Sequence, residues 1–463
     1  MSKIGFDFPT QPRKTILSEV EEQWYMPFLA KKLNREMTSM KKSNFGQYDM
    51  AVNYLTSVIE EAQAVEKVAV YNIDHMAQVR FTGKDSVALL DRTLPANVAS
   101  MKIGQCKYTL LLNEEGGVQD DLIIMRVTEE EFILVINAGH DLTGRGIDHG
   151  HEVQVISDAD RILNYKKDDE DVIVEDISAD LAKIDVQGPY SYKLISELYG
   201  KDVLRNRSNP DKNMGFFTFN EFDYEGQHYF ISRTGYTNRW GWELYVPAKV
   251  AVEQYKRIIE KAVELGGLLV GLGGRDENRL SAGNVGLPLM GQEYKPEWSP
   301  VNAPLFNAAF DLNKEYFVGK EAIMKVIDEG CTRKMVLVIS EGIVVDRDVF
   351  LAGKRVGICT SSINSPNVSQ EKREFIGSKR GSVNGQDGLA AIGLCWLDIN
   401  PFEVDSEGND ILEIDGKAVR IPVEFFKTDA EGNPKGKAVL GYISGDGVTP
   451  GTAPRPLKKI ENL

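Results

Sequence analysis

The chain has 463 residues, 42% of them hydrophobic and 27% charged, the balance of a globular protein long enough for roughly two to four domains. A formal net charge of −15 argues against a nucleic-acid binder, because modules that grip a phosphate backbone carry a basic face. The most apolar window, LGGLLVGLGG at 265–274, is too short and glycine-rich to span a bilayer, and MSKIGFDFPTQPRKT contains no apolar leader, so a soluble, cytoplasmic protein without a membrane partner is expected.

In chain order, residues 16–43 read as helical, with mixed charge and Pro27 as the one interruption, and define an N-terminal extension over 1–44. Across 45–180 short elements alternate between turn signals, as in an α+β domain. A helix is predicted at 56–67, a strand at 76–82, a helix at 84–93, then a hairpin of TLLLNEEGGVQDDLIIMRV and EEFILVINAG. Residues 181–330 form a second α+β region. Strand AKIDVQGPY leads into a helix at 189–199, strands run through 217–246, and helices follow at 248–266 and 273–283 before a loop around Pro296, Pro300 and Pro304. From 331 to 463 the chain turns β-rich and predicts a separate β domain, ending in the Pro/Gly-rich tail DGVTPGTAPRPLKKIENL.

The four cysteines, Cys106, Cys331, Cys359 and Cys395, lack metal-type spacing and read as reduced thiols. The histidines are dispersed, and His149 and His151 in DHGHEV have no evident third ligand, so no metal is expected. No P-loop, G-x-S-x-G or catalytic-cysteine signature occurs.

Three stretches carry possible chemistry. In NEEGGVQDDLIIM a Gly-Gly turn runs into a strand, and because strand side chains alternate, Asp120 toward water puts Asp121 inward. The same doublet also fits a carboxylate capping the amides of Gly116 and Gly117. In RTGYTNRWGWELYV, Glu243 is a carboxylate inside a hydrophobic run near Tyr236 and Trp242. A carboxylate beside aromatics suits a planar heterocycle that presents two N–H donors, and a core strand with Glu243 paired to Arg233 is the plain alternative. In GLGGRDENRLSAG, Arg275 could neutralise an inward acid or form a helix-start ion pair with Asp276.

Read together, YDMAVNYLTSVIEEAQAVEKVAVYNIDHM, CKYTLLLNEEGGVQDDLII, VINAG, VQGP, RTGYTNRWGWEL, GLGGRDENRL, LNKEYFVGKEA and VGICTSS, in this order over about 45–445, resemble the folate-dependent aminomethyltransferases. That family holds the T-protein of the glycine cleavage system and related tetrahydrofolate-dependent demethylases. The resemblance implies a three-domain ring around a central folate cavity, with a C-terminal β-barrel-like domain and tetrahydrofolate as acceptor of a one-carbon unit. By matching motifs it implies Asp121 as the catalytic carboxylate and Glu243 on the pterin's donor edge. Tyr108, Asn137, Tyr236 and Arg275 fall on folate-lining positions, with Met76 and Phe217 at matching apolar or aromatic ones.

This chain departs from the T-protein pattern at Asn238-Arg239-Trp240, where that enzyme usually has Gly-Glu-Asp. Arg239 and Trp240 are therefore expected to face the donor, and the leading expectation is methyl transfer to tetrahydrofolate from a small O-, S- or N-methylated substrate. The alternatives are a T-protein acting on a lipoyl carrier protein and a noncatalytic folate-binding module. The net charge of −15 disfavours an acidic carrier at long range.

Overall fold

An antiparallel sheet, a second sheet that is antiparallel except at one edge strand, and a closed barrel position everything that follows in this computed structural model, which describes residues 12–34, 36, 40–46, 48–55, 57–138, 145–148, 151–154, 157–377, 382–383, 386–387 and 389–448. The first sheet has five strands in the order Ile173–Asp176, Ala77–Thr82, Glu131–Ile136, Val118–Arg126, Cys106–Leu112. Its outer face, with Val79, Phe81, Leu122, Ile124 and Leu134, packs on Leu89 and Leu90 of helix Ser86–Thr93. Each such fully buried side chain stabilises the fold by about 1.5–3 kcal/mol before entropy is counted.

The second sheet has six strands: Phe219–Tyr224, Gln227–Ser232, Gly241–Pro247, Leu181–Gln187, Ala69–Asn72 and Leu268–Leu269. Ala182, Ile184, Val186, Trp242 and Leu244 face helix Ala248–Glu264, whose Tyr255, Ile258 and Ile259 join the same cluster. The opposite faces of the two sheets meet each other, Cys106, Met125, Ile133 and Val135 against Leu181, Phe219, Phe230 and Tyr245. Both sheets are thus covered on both sides, so a polar residue in either strand set is buried unless it reaches the cavity.

The N-terminal segment differs from the continuous helix expected at 16–43. A π-helical turn, Val20–Tyr25, runs into α-helix Met26–Leu33, which stops at Asn34 in the left-handed region (φ 49°). Lys41–Phe45 is instead a strand paired with Tyr48–Asn53. That pairing supplies the backbone partners, and residue-by-residue propensity in KKSNF does not display it. Leu17, Val20, Tyr25 and Leu29 pack into the core of the second sheet. The helix expected at 56–67 is the short Val58–Ala62, N-capped by Ser57, and then the 3-10 turn Gln63–Glu66.

The barrel closes through six strands, Lys334–Ser340, Ala390–Leu397, Lys354–Ser365, Asp348–Leu351, Arg420–Thr428 and Pro434–Ser444, around Val338, Val349, Phe425 and Ile443. Its outer face reaches Leu110, Leu112 and Val118 of the first sheet. Arg279, in helix Leu272–Leu280 beside the second sheet, donates to Ser361 of the barrel (2.8 Å) and pairs with buried Glu293 (2.9 Å). These contacts close a ring of α+β regions and barrel. The histidines His140 and His149, the first eleven residues of the expected N-terminal extension and the C-terminal tail beyond 448 lie outside the described residues.

Candidate functional site

The wall of the site is strand Val118–Arg126. Alternation holds there, but the far face is another core and not water, so the expected solvent-facing Asp120 is fully buried beside Leu122 and Ile124. Asp120 accepts from the Asn137 backbone amide (3.1 Å) and its Nδ2 (2.8 Å). Capping of the Gly-Gly turn falls to Asn113, whose Oδ1 accepts from the Gly117 amide at 2.7 Å. Asp121 stays half-buried on the face shared with Ile123, and accepts from the Tyr108 hydroxyl (3.1 Å) and Asn137 Nδ2 (2.8 Å). Burial first, then the neighbouring Asp120, pushes the Asp121 carboxyl up to about 7, against the opposing pull of Tyr108 and Asn137.

The floor is the inner face of the second sheet, where Lys183, Asp185 and Gln187 alternate with the core residues of their strand. Asp185 lies directly across from Glu243 in the antiparallel pairing. Glu243 receives Thr234 Oγ1 (2.7 Å) and Lys183 Nζ (3.0 Å), both on Oε2. Burial opposes its ionisation, yet Lys183 and the Thr234 hydrogen bond outweigh it and hold the carboxyl below the usual range. Arg233, the partner considered from sequence, instead stacks over Trp240 (4.2 Å to the ring centroid) and donates to the Met214 carbonyl (2.6 Å). Two donors fill the lone pairs of Oε2, so the expected two-oxygen grip by Glu243 alone is not available. Asp185 is pushed up to about 7, first by burial and then by Glu243. Its Oδ1 accepts from Gln187 Nε2 (2.6 Å), while its buried Oδ2 has no partner.

Gln187 also explains the two glycines of the RTGYTNRWGWEL loop. A Cβ at Gly235 or at Gly241 would sit 2.2 Å from the Gln187 side chain, so the loop closes over that amide only with glycine at both positions.

Between wall and floor stand Arg275 and Tyr236, the guanidinium carbon 4.8 Å from the ring centroid. The buried Arg275 Nε lacks a partner, and Asp276, expected beside it as an ion pair, is engaged by Arg279 at 2.7 Å. Tyr236 donates its hydroxyl to the Pro288 carbonyl. Met76, Ile123 and Phe217 form a half-buried apolar rim against the inter-sheet core. Phe217 holds a left-handed backbone (φ 57°), a conformation that costs a bulky residue about 1–3 kcal/mol and is stored in the rim.

Arg239 and Trp240 do not join this group as expected. Trp240 is buried in the core of the second sheet, and Arg239 pairs with Glu66 (3.1 Å). Sequence reading passed over Lys183 and Asp185. Charged residues two apart in the apolar strand LAKIDVQ were the available signal, because one face of a doubly covered strand cannot reach bulk water. Among the described residues no group of three or more His, Cys, Asp or Glu could hold a metal, all four cysteines are free, and no helix is long and apolar enough to cross a membrane.

Residues 36–313 match the family described as the GCVT N-terminal domain. An aminomethyltransferase of Bacillus mycoides (strain KBAB4) is 30% identical over 396 residues, covering 84% of this chain and 94% of that protein. The Bacillus anthracis aminomethyltransferase is likewise 30% identical, over 397 residues with the same coverage. The glycine cleavage system aminomethyltransferase T from Bartonella henselae has the same fold, with a TM-score of 0.66 at 22% identity, covering 93% of this chain and 96% of that one. The family match over more than half of the chain, and the relatives aligned nearly end to end, lead to one conclusion: this chain belongs to the folate-dependent aminomethyltransferase family.

Proposed function

We propose that the protein transfers a one-carbon unit to tetrahydrofolate in the cavity between the two sheets, as an aminomethyltransferase acting on an aminomethyl group carried on a lipoyl protein. The observation that carries this reading is the placement of Asp121. It is a half-buried carboxyl pushed up to about 7, on the face of its sheet turned toward the sheet that carries Glu243 and Asp185. The residues present suit a reduced pterin. An apolar rim accommodates a flat ring, and buried polar atoms without partners, Asp185 Oδ2 and Arg275 Nε, await an acceptor's donors and a donor's acceptor.

Tetrahydrofolate supplies a nucleophilic ring nitrogen. The protein's own part is positioning and proton handling. Asp121 is able both to hold and to release a proton near neutral pH, as protonation of a departing amine requires, and Tyr108 and Asn137 fix its two oxygens. In the balanced reaction the methylene carbon's bonds to sulfur and to the amine nitrogen would break while two bonds to nitrogens of tetrahydrofolate form, the two protons those nitrogens lose going to the sulfur and to the amine, giving methylene-tetrahydrofolate, ammonia and the free lipoyl thiol. The free thiols support a reducing, cytoplasmic setting.

Methyl transfer from a small methylated compound is the second reading, supported by the net charge of −15. Its other support, a substrate-facing Trp240, is withdrawn by the burial of that ring. Incubation with tetrahydrofolate and either an aminomethyl-lipoyl carrier or a panel of methylated amines, sulfonium compounds and methoxy-aromatics separates the two. Methylene-tetrahydrofolate formed only with the carrier supports the first reading, and methyl-tetrahydrofolate without a carrier replaces it with the second.

A further inference from the structure

The floor of the cavity contains more carboxylate than a single grip on a heterocycle needs. Glu243 has one oxygen, Oε2, occupied by Thr234 and Lys183. Directly across the strand pair, Asp185 is fully buried and presents Oδ2 with no donor at all. Directly opposed residues of an antiparallel pair have Cβ atoms about 4.5–5.5 Å apart, so the two carboxylates can address two neighbouring N–H groups of one flat ligand. An unpartnered buried carboxylate oxygen destabilises the empty protein, and persists where a ligand completes it.

We propose that Asp185 is a second ligand-binding carboxylate, and that the donor edge of the bound pterin is divided, one N–H to Asp185 Oδ2 and one to Glu243 Oε1. The inference rests on the tetrahydrofolate reading above and deepens it. Lys183 has a defined part in this arrangement: by holding Oε2 it neutralises Glu243 and turns the grip from one carboxylate to two. Gln187, locked under the loop by Thr234 and Thr237, holds Asp185 Oδ1 and so orients Oδ2.

Proton linkage follows. The groups that face Asp185 are Lys183 on its own strand, Glu243 and Tyr245 on the next, Tyr71 on the other side, and Arg275 from helix Leu272–Leu280. Burial and Glu243 together push Asp185 up to about 7, so part of the empty protein holds a proton there at neutral pH. Oδ2 accepts from an N–H in its ionised form, so ligand binding expels that proton. Folate affinity therefore rises as pH climbs to about 7 and levels off above it.

The test is calorimetric titration of the full chain with tetrahydrofolate, without oxygen, at pH 6 to 8 and in buffers of different ionisation enthalpy, for the wild type and for Asp185→Asn. The variant keeps the shape and removes the charge. It is expected to bind about ten- to a hundredfold more weakly at pH 8, with a flattened pH dependence and with a ligand-free melting temperature no lower than the wild type's. Affinity within about twofold of the wild type with the same pH slope overturns the assignment. Should Asp185→Asn fail to fold, the wild type alone decides. Proton release on binding at neutral pH supports the divided grip, and its absence refutes it. A wild type that does not bind tetrahydrofolate sinks the folate reading itself, a result distinct from a wild type and variant that bind alike.

Discussion

The facing sides of the two sheets both carry carboxylates, Asp121 on the first and Asp185 with Glu243 on the second, and their partners differ. On the first sheet Asp121 accepts from uncharged donors, the Tyr108 hydroxyl and Asn137 Nδ2, and Asn137 also donates to Asp120 behind it. The floor pair, Asp185 and Glu243, stands among cations, with Lys183 in contact and Arg275 near enough to stabilise both charges. Burial disfavours ionisation of Asp121, Asp185 and Glu243 alike, yet the member in contact with a cation, Glu243, ends below its usual range, while Asp121 ends near 7. Glu243, held charged, is given a lysine, whereas Asp121 and Asp185, whose carboxyls lie near 7, accept from neutral donors.

The largest expected effect breaks the wall. Asp121→Asn keeps the shape and a hydrogen-bonding oxygen but removes the exchangeable proton, and turnover is expected to fall roughly a hundredfold to ten-thousandfold. Tetrahydrofolate affinity, measured in the same preparation, should stay within a few fold of the wild type. Near-normal turnover would falsify the role assigned to this residue. The floor breaks differently. Lys183→Met leaves the buried Glu243 without its contact cation, which is expected to cost about 3–5 kcal/mol in urea unfolding. A loss under about 1 kcal/mol would mean that the pair is far better solvated than its burial indicates.

How much of this was legible in the sequence depended on which face of a strand met water. Alternation correctly separated Asp120 from Asp121, because it is a local property of the strand. Whether the other face is solvent or a second core is decided by distant residues, here Leu89 and Leu90 of a helix some thirty positions earlier, so the burial of Asp120 was not readable. The same blindness hid Lys183 and Asp185, since a strand reading LAKIDVQ looks half-exposed until a helix covers one of its faces and a sheet the other. Trp240 failed for the opposite reason. An aromatic beside two glycines in a loop suggested a ligand platform, but Arg233 stacks on that ring and the core takes it. The barrel was plain because its long β-rich run contains most of its own partners.

A smaller effect sharpens the wall. Asn137→Ala removes the donor shared by Asp120 and Asp121, so the ionised form of Asp121 loses a hydrogen bond and its carboxyl rises further. The limb of the pH–rate profile belonging to Asp121 should move up by about one unit, with turnover at pH 7 reduced about tenfold. An unchanged limb would assign it to another group.

The smallest effect extends the comparison to acids outside the cavity. Glu21 on the N-terminal segment accepts from Asn72 Nδ2 (2.7 Å) and the Tyr255 hydroxyl (3.1 Å), and Asp74 accepts from the amides of Ile16 and Lys183 (both 3.1 Å). Like Asp121 they accept from neutral donors, and burial pushes each of them up to about 7. A carboxyl raised in this way holds its proton more tightly folded than unfolded. Its stabilising share is complete below the ordinary carboxylate range and is lost as pH rises toward about 7. Global stability should therefore decline between about pH 4.5 and pH 7. Glu21→Gln mimics the protonated form, so the variant should match the wild type within about 1 kcal/mol near pH 5 and exceed it by about 1–2 kcal/mol at pH 8. Parallel stability curves for the two proteins would show that Glu21 ionises in the folded state without cost, and that the tyrosine and asparagine around it do for this acid what Lys183 does for Glu243.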